Sequence, residues 1–153
     1  MRPVGGFLFL KSLHVLSAIV AVGSNATYGV WSTFGKRETP HLGVVLRGIK
    51  LVDDRMANPA YGVLLITGLI MAFTTYSITT TWILIGLGLF LVMAIGGVAG
   101  YSQLLKRQIA TLDAEGPTSA NYRAVDARAR GVGIFLGVAA IAVVFVMVFK
   151  PLV

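Results

Sequence analysis

Residues 81–105 read TWILIGLGLFLVMAIGGVAGYSQLL and contain no charged side chain. A helix needs about 20 apolar residues at ~1.5 Å rise each to cross a ~30 Å hydrocarbon core, so this run is long enough to span a bilayer. Hydrophobic residues make up 56% of the 153-residue chain and charged residues 12%, a balance that soluble domains rarely show. Three similar stretches lie at about 7–34, 58–76 and 132–149. The sequence therefore predicts one all-α domain, a polytopic membrane four-helix bundle.

The basic residues are divided unevenly between the two ends of this predicted bundle. The first and third connections carry Lys36, Arg37, Arg47, Lys50, Arg55, Lys106, Arg107, Arg123, Arg128 and Arg130. The opposite side has only Arg2, Lys11 and Lys150. By the positive-inside rule, the two basic connections face the cytoplasm and both termini face outward. Topology therefore explains the net charge of +7, and no nucleic-acid partner is expected.

The first cytoplasmic connection shows helical amphipathic spacing. Its apolar positions are Leu42, Val45, Leu46, Ile49, Val52 and Met56, and Arg47, Lys50 and Asp54 point away from them. This pattern predicts an interfacial amphipathic helix lying on anionic headgroups.

Helix starts can also be read from the sequence. Asn58 followed by Pro59 predicts an N-cap and a proline at the first helical position, where the second span would begin. Thr118 or Ser119 is expected to cap the helix that continues into the fourth span.

Standard catalytic constellations are missing from the sequence. There is no cysteine, which excludes disulfides, thiolate metal sites and cysteine nucleophiles. All acids fall in the predicted connections, namely Glu38, Asp53, Asp54, Asp113, Glu115 and Asp126. No carboxylate pair is therefore expected inside a span, and the spans are expected to be unbroken helices. These features disfavour a charged-solute transporter and favour a protein that is not an enzyme.

One side of the first span carries a stripe of small and polar residues. At 100° per residue the stripe contains His14, Ser17, Ala18, Ala21, Ser24, Asn25, Tyr28 and Ser32. Imidazole and carboxamide groups facing acyl chains are costly, so this side is predicted to face the bundle interior.

His14 is the ionisable residue deepest within a predicted span, and three interpretations of it stay open. It can hydrogen-bond a neighbouring helix, ligate a haem iron or another metal, or relay protons to a bound quinone. If His14 ligates a metal or relays protons, Asn25 and Tyr28 would line the deeper part of the pocket. His41 lies beyond the cytoplasmic end of the same span, on the opposite membrane face, so Met71, Met93 or a second subunit's His14 would supply any second axial ligand.

Several short motifs carry a family resemblance. These are KSLHVLS at 11–17, Asn58-Pro59 followed by LITGL at 65–69, and Trp82 at the start of the third span. Over nearly its whole length the chain resembles an uncharacterised family of predicted bacterial four-helix integral membrane proteins, a domain of unknown function. This implies the inner (plasma) membrane of a prokaryote.

The chain is more distantly similar to the haem-binding protoporphyrinogen oxidases and to the copper-resistance D membrane domain. The resemblance to the protoporphyrinogen oxidases implies that His14, and no other residue of this chain, would be a haem ligand. The chain departs from those oxidases because it has no lysine within its third span, where Lys106 comes only at the cytoplasmic end.

The sequence thus predicts a small membrane accessory or ligand-binding protein with a polar pocket around His14. Its lipid-facing and glycine-rich surfaces would suit a homo-oligomer or a subunit of a larger membrane complex. The alternative is a haem-b-binding redox or haem-handling protein with His14 as axial ligand; if it is an enzyme, it would be a haem-dependent oxidoreductase.

Overall fold

The computed structural model describes residues 4–150, all of which lie in helices or in the short segments between them, without any strand. The α-helices are α1 (Val4–Arg37), α2 (Leu42–Val52), α3 (Asn58–Thr74), α4 (Thr81–Ile95), α5 (Ser102–Glu115) and α6 (Ala120–Phe149). Arg2, one of the residues used to predict the topology, lies outside the described part of the chain.

Short linking segments join these helices into four long rods. A 3₁₀ turn, α2, a π-helical segment and α3 form a continuous rod at Thr39–Thr74, and α4, a second π-helical segment and α5 form another at Thr81–Glu115. Like these two, α1 and α6 are long and apolar enough to cross a membrane. The predicted all-helical fold with four candidate spans is confirmed.

The bundle has two chemically different ends. The turn end lies at residues 75–80, between α3 and α4. The basic end comprises the end of α1, α2, α5 and the start of α6. The Thr39–Thr74 rod has 36 residues and so is roughly 54 Å long at ~1.5 Å per residue. Because this exceeds a ~30 Å hydrocarbon core, the rod has length left over to build packed structure at the basic end.

The predicted amphipathic helix is present as α2, but its apolar face has a protein partner. Leu42, Leu46 and Ile49 are buried in one cluster with Leu105 of α5 and Tyr122 of α6. Packing against other helices buries the middle of this apolar face, while Val45 and Val52 are partly buried and Met56 is exposed. The helix therefore belongs to the bundle and is not laid on headgroups by its apolar face.

One prediction about a helix start is wrong. Asn58 does not cap a helix start, because it has helical dihedrals and its backbone N–H bonds to the Asp53 carbonyl of the preceding turn. The rods are continuous helices as predicted, although π-helical segments occupy Asp53–Ala57 and Gly96–Tyr101 within them. By contrast, Ser119 caps α6 as predicted, and its side chain accepts a hydrogen bond from the Tyr122 backbone N–H.

Close contacts between rods depend on small residues. A Cβ atom built on Gly96 would lie 2.9 Å from Leu136 Cδ2 on α6, and one on Gly133 would lie 3.5 Å from the Tyr101 ring. Hydrogen in place of a side chain therefore lets α6 approach the Thr81–Glu115 rod closely. Large apolar side chains elsewhere point outward; Phe9, Phe73 and Phe149 are about 70% exposed, as suits surfaces in contact with lipid.

Candidate functional site

A cavity of about 470 Å³ lies between α1, α3, α4 and α6 and extends to the turn end. This volume falls within the range of about 300–1,000 Å³ typical of ligand sites. Its wall is almost wholly apolar, and representative lining residues are His14, Ala18, Leu64, Gly68, Trp82, Phe90, Met93, Ala140 and Met147. The site is therefore more apolar than the polar pocket predicted from the sequence.

His14 is the imidazole on this wall, and one hydrogen bond fixes its ring. Its Nδ1 lies 2.9 Å from Thr67 Oγ1 on α3. The Thr67 hydroxyl donates its hydrogen to the Val63 carbonyl at 2.7 Å, so its oxygen is the acceptor toward His14. Nδ1 therefore carries the ring hydrogen, and Nε2 keeps an unshared lone pair.

The other ring nitrogen has no hydrogen-bond partner within residues 4–150. A lone pair on Nε2 can accept a hydrogen bond from a ligand or coordinate a metal ion. Hydrogen bonding to Thr67 accounts for one ring nitrogen and leaves the second available to the cavity.

Gly68 allows the imidazole to lie against α3. A Cβ atom at this position would be 3.1 Å from His14 Cε1, closer than ordinary van der Waals contact. Gly62, one and a half turns earlier on the same helix, has nothing within 4 Å of the corresponding point. The position of the His14 ring therefore explains why a glycine is needed at position 68, and it does not explain the glycine at position 62.

Asn25 lies on the side of the cavity away from the turn end. Its Nδ2 donates to the Ala21 carbonyl and to the Tyr61 hydroxyl, both at 2.8 Å. Tyr61 lines the cavity and packs edge-on against Phe90, with ring centroids 6.0 Å apart. Asn25 itself is not among the lining residues, and it acts on the cavity by holding Tyr61 in place.

Tyr28 is further from the cavity than the sequence predicted and does not line it. Its ring stacks on Tyr101, with centroids 5.9 Å apart and planes inclined by 6°. The side chain is buried, and its hydroxyl has no hydrogen-bond partner. Ser17, Ala21 and Tyr28 are all buried, which confirms that the polar stripe of α1 faces the bundle interior.

The turn end of the cavity carries a positive charge. Lys150 Nζ lies 5.3 Å from the ring centroids of both Tyr76 and Trp82, and both rings line the cavity. Such cation–π contacts hold the ammonium at the rim. An elongated ligand would therefore meet a cation at one end of the cavity and His14 further in.

Sequence reasoning missed a buried polar cluster at the basic end. We use the name buried cluster for Lys50, Asp53, Asp54 and Ser102, which join the Thr39–Thr74 rod to α5. Lys50 was predicted to point away from the apolar face, yet it is 9% exposed, because its ammonium bonds to the Asp54 carboxylate and to Ser102 Oγ at 3.0 Å. The spacing of Leu46, Lys50, Asp53 and Ala57 by four, three and four residues could have revealed this shared face.

Further ion pairs hold the basic end together. Lys36 Nζ donates to Asp126 Oδ2 at 2.7 Å, and Gln108 Nε2 donates to Asp126 Oδ1 at 2.9 Å, which ties α1, α5 and α6. Arg47 pairs with Asp113 at 2.7 Å, but both of these side chains are about half exposed. The described residues contain no group of three or more His, Cys, Asp or Glu side chains that could enclose a metal ion.

Comparison with known proteins gives a family and no activity. No curated protein and no solved structure matches the chain. A family model described as "Predicted integral membrane protein (DUF2269)" matches residues 8–151, which include all four rods almost completely. This chain belongs to that family of predicted integral membrane proteins of unknown function.

Proposed function

We propose that this membrane protein binds a lipid-soluble molecule in the cavity beside His14. The observation that carries this proposal is the pairing of an apolar cavity of about 470 Å³ with one ring nitrogen, His14 Nε2, that has no protein partner among the described residues. Apolar walls favour a hydrocarbon-rich ligand, and a single polar atom would fix its orientation. The ligand would carry a hydrogen-bond donor that reaches Nε2.

A purely structural role explains less of this arrangement. The His14–Thr67 hydrogen bond is worth about 0.6 kcal/mol if it resembles the average interhelical bond in membranes. A helix-linking residue does not need a cavity beside its second nitrogen.

Haem b is a second candidate, and the available nitrogen is the observation in its favour. His14 Nε2 can ligate a haem iron, and the lining residues Met71, Met93 and Met147 bring thioether sulfurs, a known type of second axial ligand. Lys150 at the rim offers a cation for a propionate group. These residues fit haem, which when bound would supply one-electron redox chemistry.

Analysis of bound small molecules tests both candidates together. Full-length protein is purified in a mild detergent, extracted with organic solvent and analysed by mass spectrometry, and a reduced-minus-oxidised visible spectrum is recorded before extraction. A near-stoichiometric compound should be present in the wild type and reduced at least about tenfold in His14→Ala. His41→Ala is the matched control, because His41 is exposed and lies at the basic end.

The outcomes separate the candidates. A haem spectrum lost in His14→Ala supports haem binding, and an extracted colourless lipid lost in the same variant supports the first proposal. Equal ligand content in the wild type and both histidine variants would overturn any role for His14 in binding.

A pair of glycine variants on α3 provides an independent test. Gly68→Ala places a methyl group against the His14 ring and should lower ligand content several-fold, whereas Gly62→Ala should leave it unchanged. Similar ligand content in both variants would contradict the proposed position of the imidazole.

We further infer that the basic end faces the cytoplasm of a prokaryotic cell. The support is the excess of lysine and arginine at this end, which the positive-inside rule associates with the cytoplasmic side. Accessibility tags placed at 77–80 and 115–119 should report the outside and the cytoplasm, respectively; the opposite result would reverse the orientation.

Association with other copies or subunits is also part of the proposal. The lipid-facing rods expose small residues such as Gly88 and Gly131, which permit close helix contacts. Native mass spectrometry from nanodiscs should show a dimer or a co-purifying subunit, and a clean monomer would argue against it.

A further inference from the structure

The buried cluster at the basic end has features that ion pairing alone does not explain. Asp53 is 3% exposed, and its Oδ2 atom accepts no hydrogen bond. Lys50 Nζ lies 3.7 Å from that oxygen, because the ammonium bonds directly to Asp54 and Ser102 instead. The cation that pairs with Asp53 is therefore already shared, and the Ser102 hydroxyl is a further hydrogen-bond donor to this carboxylate.

Charge counting shows that the cluster lacks a positive charge. Lys50 brings one ammonium, whereas Asp53 and Asp54 bring two carboxylates. Asp54 is 49% exposed on its side chain, so water stabilises its charge. The uncompensated charge falls on Asp53, where burial makes an ionised carboxylate costly.

Three tyrosines from other elements lie in or against the apolar cluster that also contains Ala57, four residues after Asp53. They are Tyr28 on α1, Tyr61 on α3 and Tyr101 in the second π-helical segment. The Tyr28 hydroxyl is the second buried atom without a hydrogen-bond partner. The charged and titratable groups facing Asp53 are thus Lys50, Asp54 and these tyrosines, with the Ser102 hydroxyl from α5.

A π-helical segment borders each side of the contact between Lys50 and Ser102. Asp53 begins the segment Asp53–Ala57, and Ser102 directly follows the segment Gly96–Tyr101. Single turns of π-helix inside α-helices are frequent at functional sites. Their positions next to the buried cluster are an observation independent of the charge count.

We propose that Asp53 is a proton-binding site in exchange with solution at the basic end. A proton on Oδ2 neutralises the excess charge and turns an acceptor without a partner into an O–H donor. A metal cation fits less well, because it would lie beside the Lys50 ammonium, 3.7 Å from the same oxygen. The half-exposed Asp54 carboxylate provides the route from solution.

The proposal does not depend on the ligand in the cavity, although the two sites share a residue. Tyr61 packs against the apolar cluster at the basic end, accepts the hydrogen bond from Asn25 and lines the cavity.

Carbon-13 NMR of the full chain in nanodiscs tests the proposal. The chain contains only Asp53, Asp54, Asp113 and Asp126 as aspartates, so labelling their carboxyl carbons gives four resonances. Asp54→Asn, Asp113→Asn and Asp126→Asn each remove one of them. Asp53 is then assigned by elimination while it remains in place, so the result does not require an Asp53 variant to fold.

The Asp53 resonance should titrate at a lower proton concentration than the carboxyl carbon of an aspartate in a short unstructured peptide measured in the same buffer, because burial raises the pKa of the Asp53 carboxyl group. Lys50→Gln should move the Asp53 midpoint further in the same direction. An Asp53 resonance that titrates together with the peptide, or stays ionised throughout, would overturn the proposal.

Replacing sodium with choline at constant ionic strength provides the cation control. The Asp53 midpoint should not change if the site takes up a proton alone. A midpoint that depends on sodium would assign the site to a metal cation and overturn the proposal.

Discussion

The two halves of the bundle use polar side chains for different purposes. At the turn end, His14 stands almost alone on an apolar wall and makes one hydrogen bond, to Thr67. At the basic end, Lys50, Asp53 and Ser102 are packed together with tyrosines around them. The first arrangement leaves a ring nitrogen free for a ligand, while the second joins the Thr39–Thr74 rod to α5 through Lys50 and leaves one oxygen of Asp53 without a hydrogen bond. Binding and stability should therefore be separable by mutation.

The largest effect on stability is expected from Lys50→Met. Removing the ammonium leaves the buried Asp53 carboxylate without its only nearby cation, which should lower the free energy of unfolding by about 3 kcal/mol. The loss should shrink as the pH falls, because a proton on Asp53 removes the uncompensated charge. Equilibrium unfolding in a denaturing detergent at several pH values measures it.

A double variant distinguishes this explanation from a simple loss of packing. Lys50→Met combined with Asp53→Leu removes both buried charges and should regain most of the stability lost in the single variant. If the double variant loses as much free energy of unfolding as the two single variants added together, the effect of Lys50→Met does not have an electrostatic origin.

A smaller effect is expected at the turn end from Thr67→Val. The change keeps the shape of the side chain and removes the acceptor for His14 Nδ1, so the free energy of unfolding should fall by about 0.6 kcal/mol, and at most by about 1.7. Thr33→Val is the control, since Thr33 is exposed and bonds only to the Gly29 carbonyl of its own helix. A loss of unfolding free energy near 3 kcal/mol would show that the His14–Thr67 hydrogen bond stabilises the fold as much as the buried cluster does, and would contradict the difference between the two ends.

A similarly small effect, distinguished by its dependence on salt, is expected from Asp113→Asn at the surface of the basic end. Arg47 and Asp113 are about half exposed, so their ion pair should contribute only about 0.2–1 kcal/mol and should weaken in high salt. Unfolding measured at low and high ionic strength tests this. A large, salt-independent loss would show that the surface pairs matter as much as the buried cluster.

The sequence predicted the fold well because lipid imposes a simple rule. Apolar length alone indicates the four rods, and the spacing from His14 to Tyr28 indicates the inward side of α1. Amphipathic spacing also located α2. It could not show whether the partner of its apolar face was lipid or protein, since both accept the same side chains.

The polar sites were harder to predict because they depend on contacts between distant residues. From the sequence alone, Lys50 is expected to be a solvent-exposed charge. Its partner Ser102 lies 52 positions later in the chain and comes close to it only in the folded protein. Asn25 was expected to line the pocket, yet the structure gives it Tyr61 as partner, a residue that the sequence did not single out. No local pattern predicts the two π-helical segments that position Asp53 and Tyr101.

The most direct measurement compares ligand content and unfolding free energy in His14→Ala and Lys50→Met, prepared identically and measured side by side. We predict that His14→Ala loses its ligand while its intrinsic stability, measured on ligand-free protein, falls by about 1 kcal/mol or less, and that folded Lys50→Met keeps the ligand despite a much larger loss of stability. A His14→Ala protein that retains a full complement of ligand would contradict the proposed division between a binding end and a stabilising end.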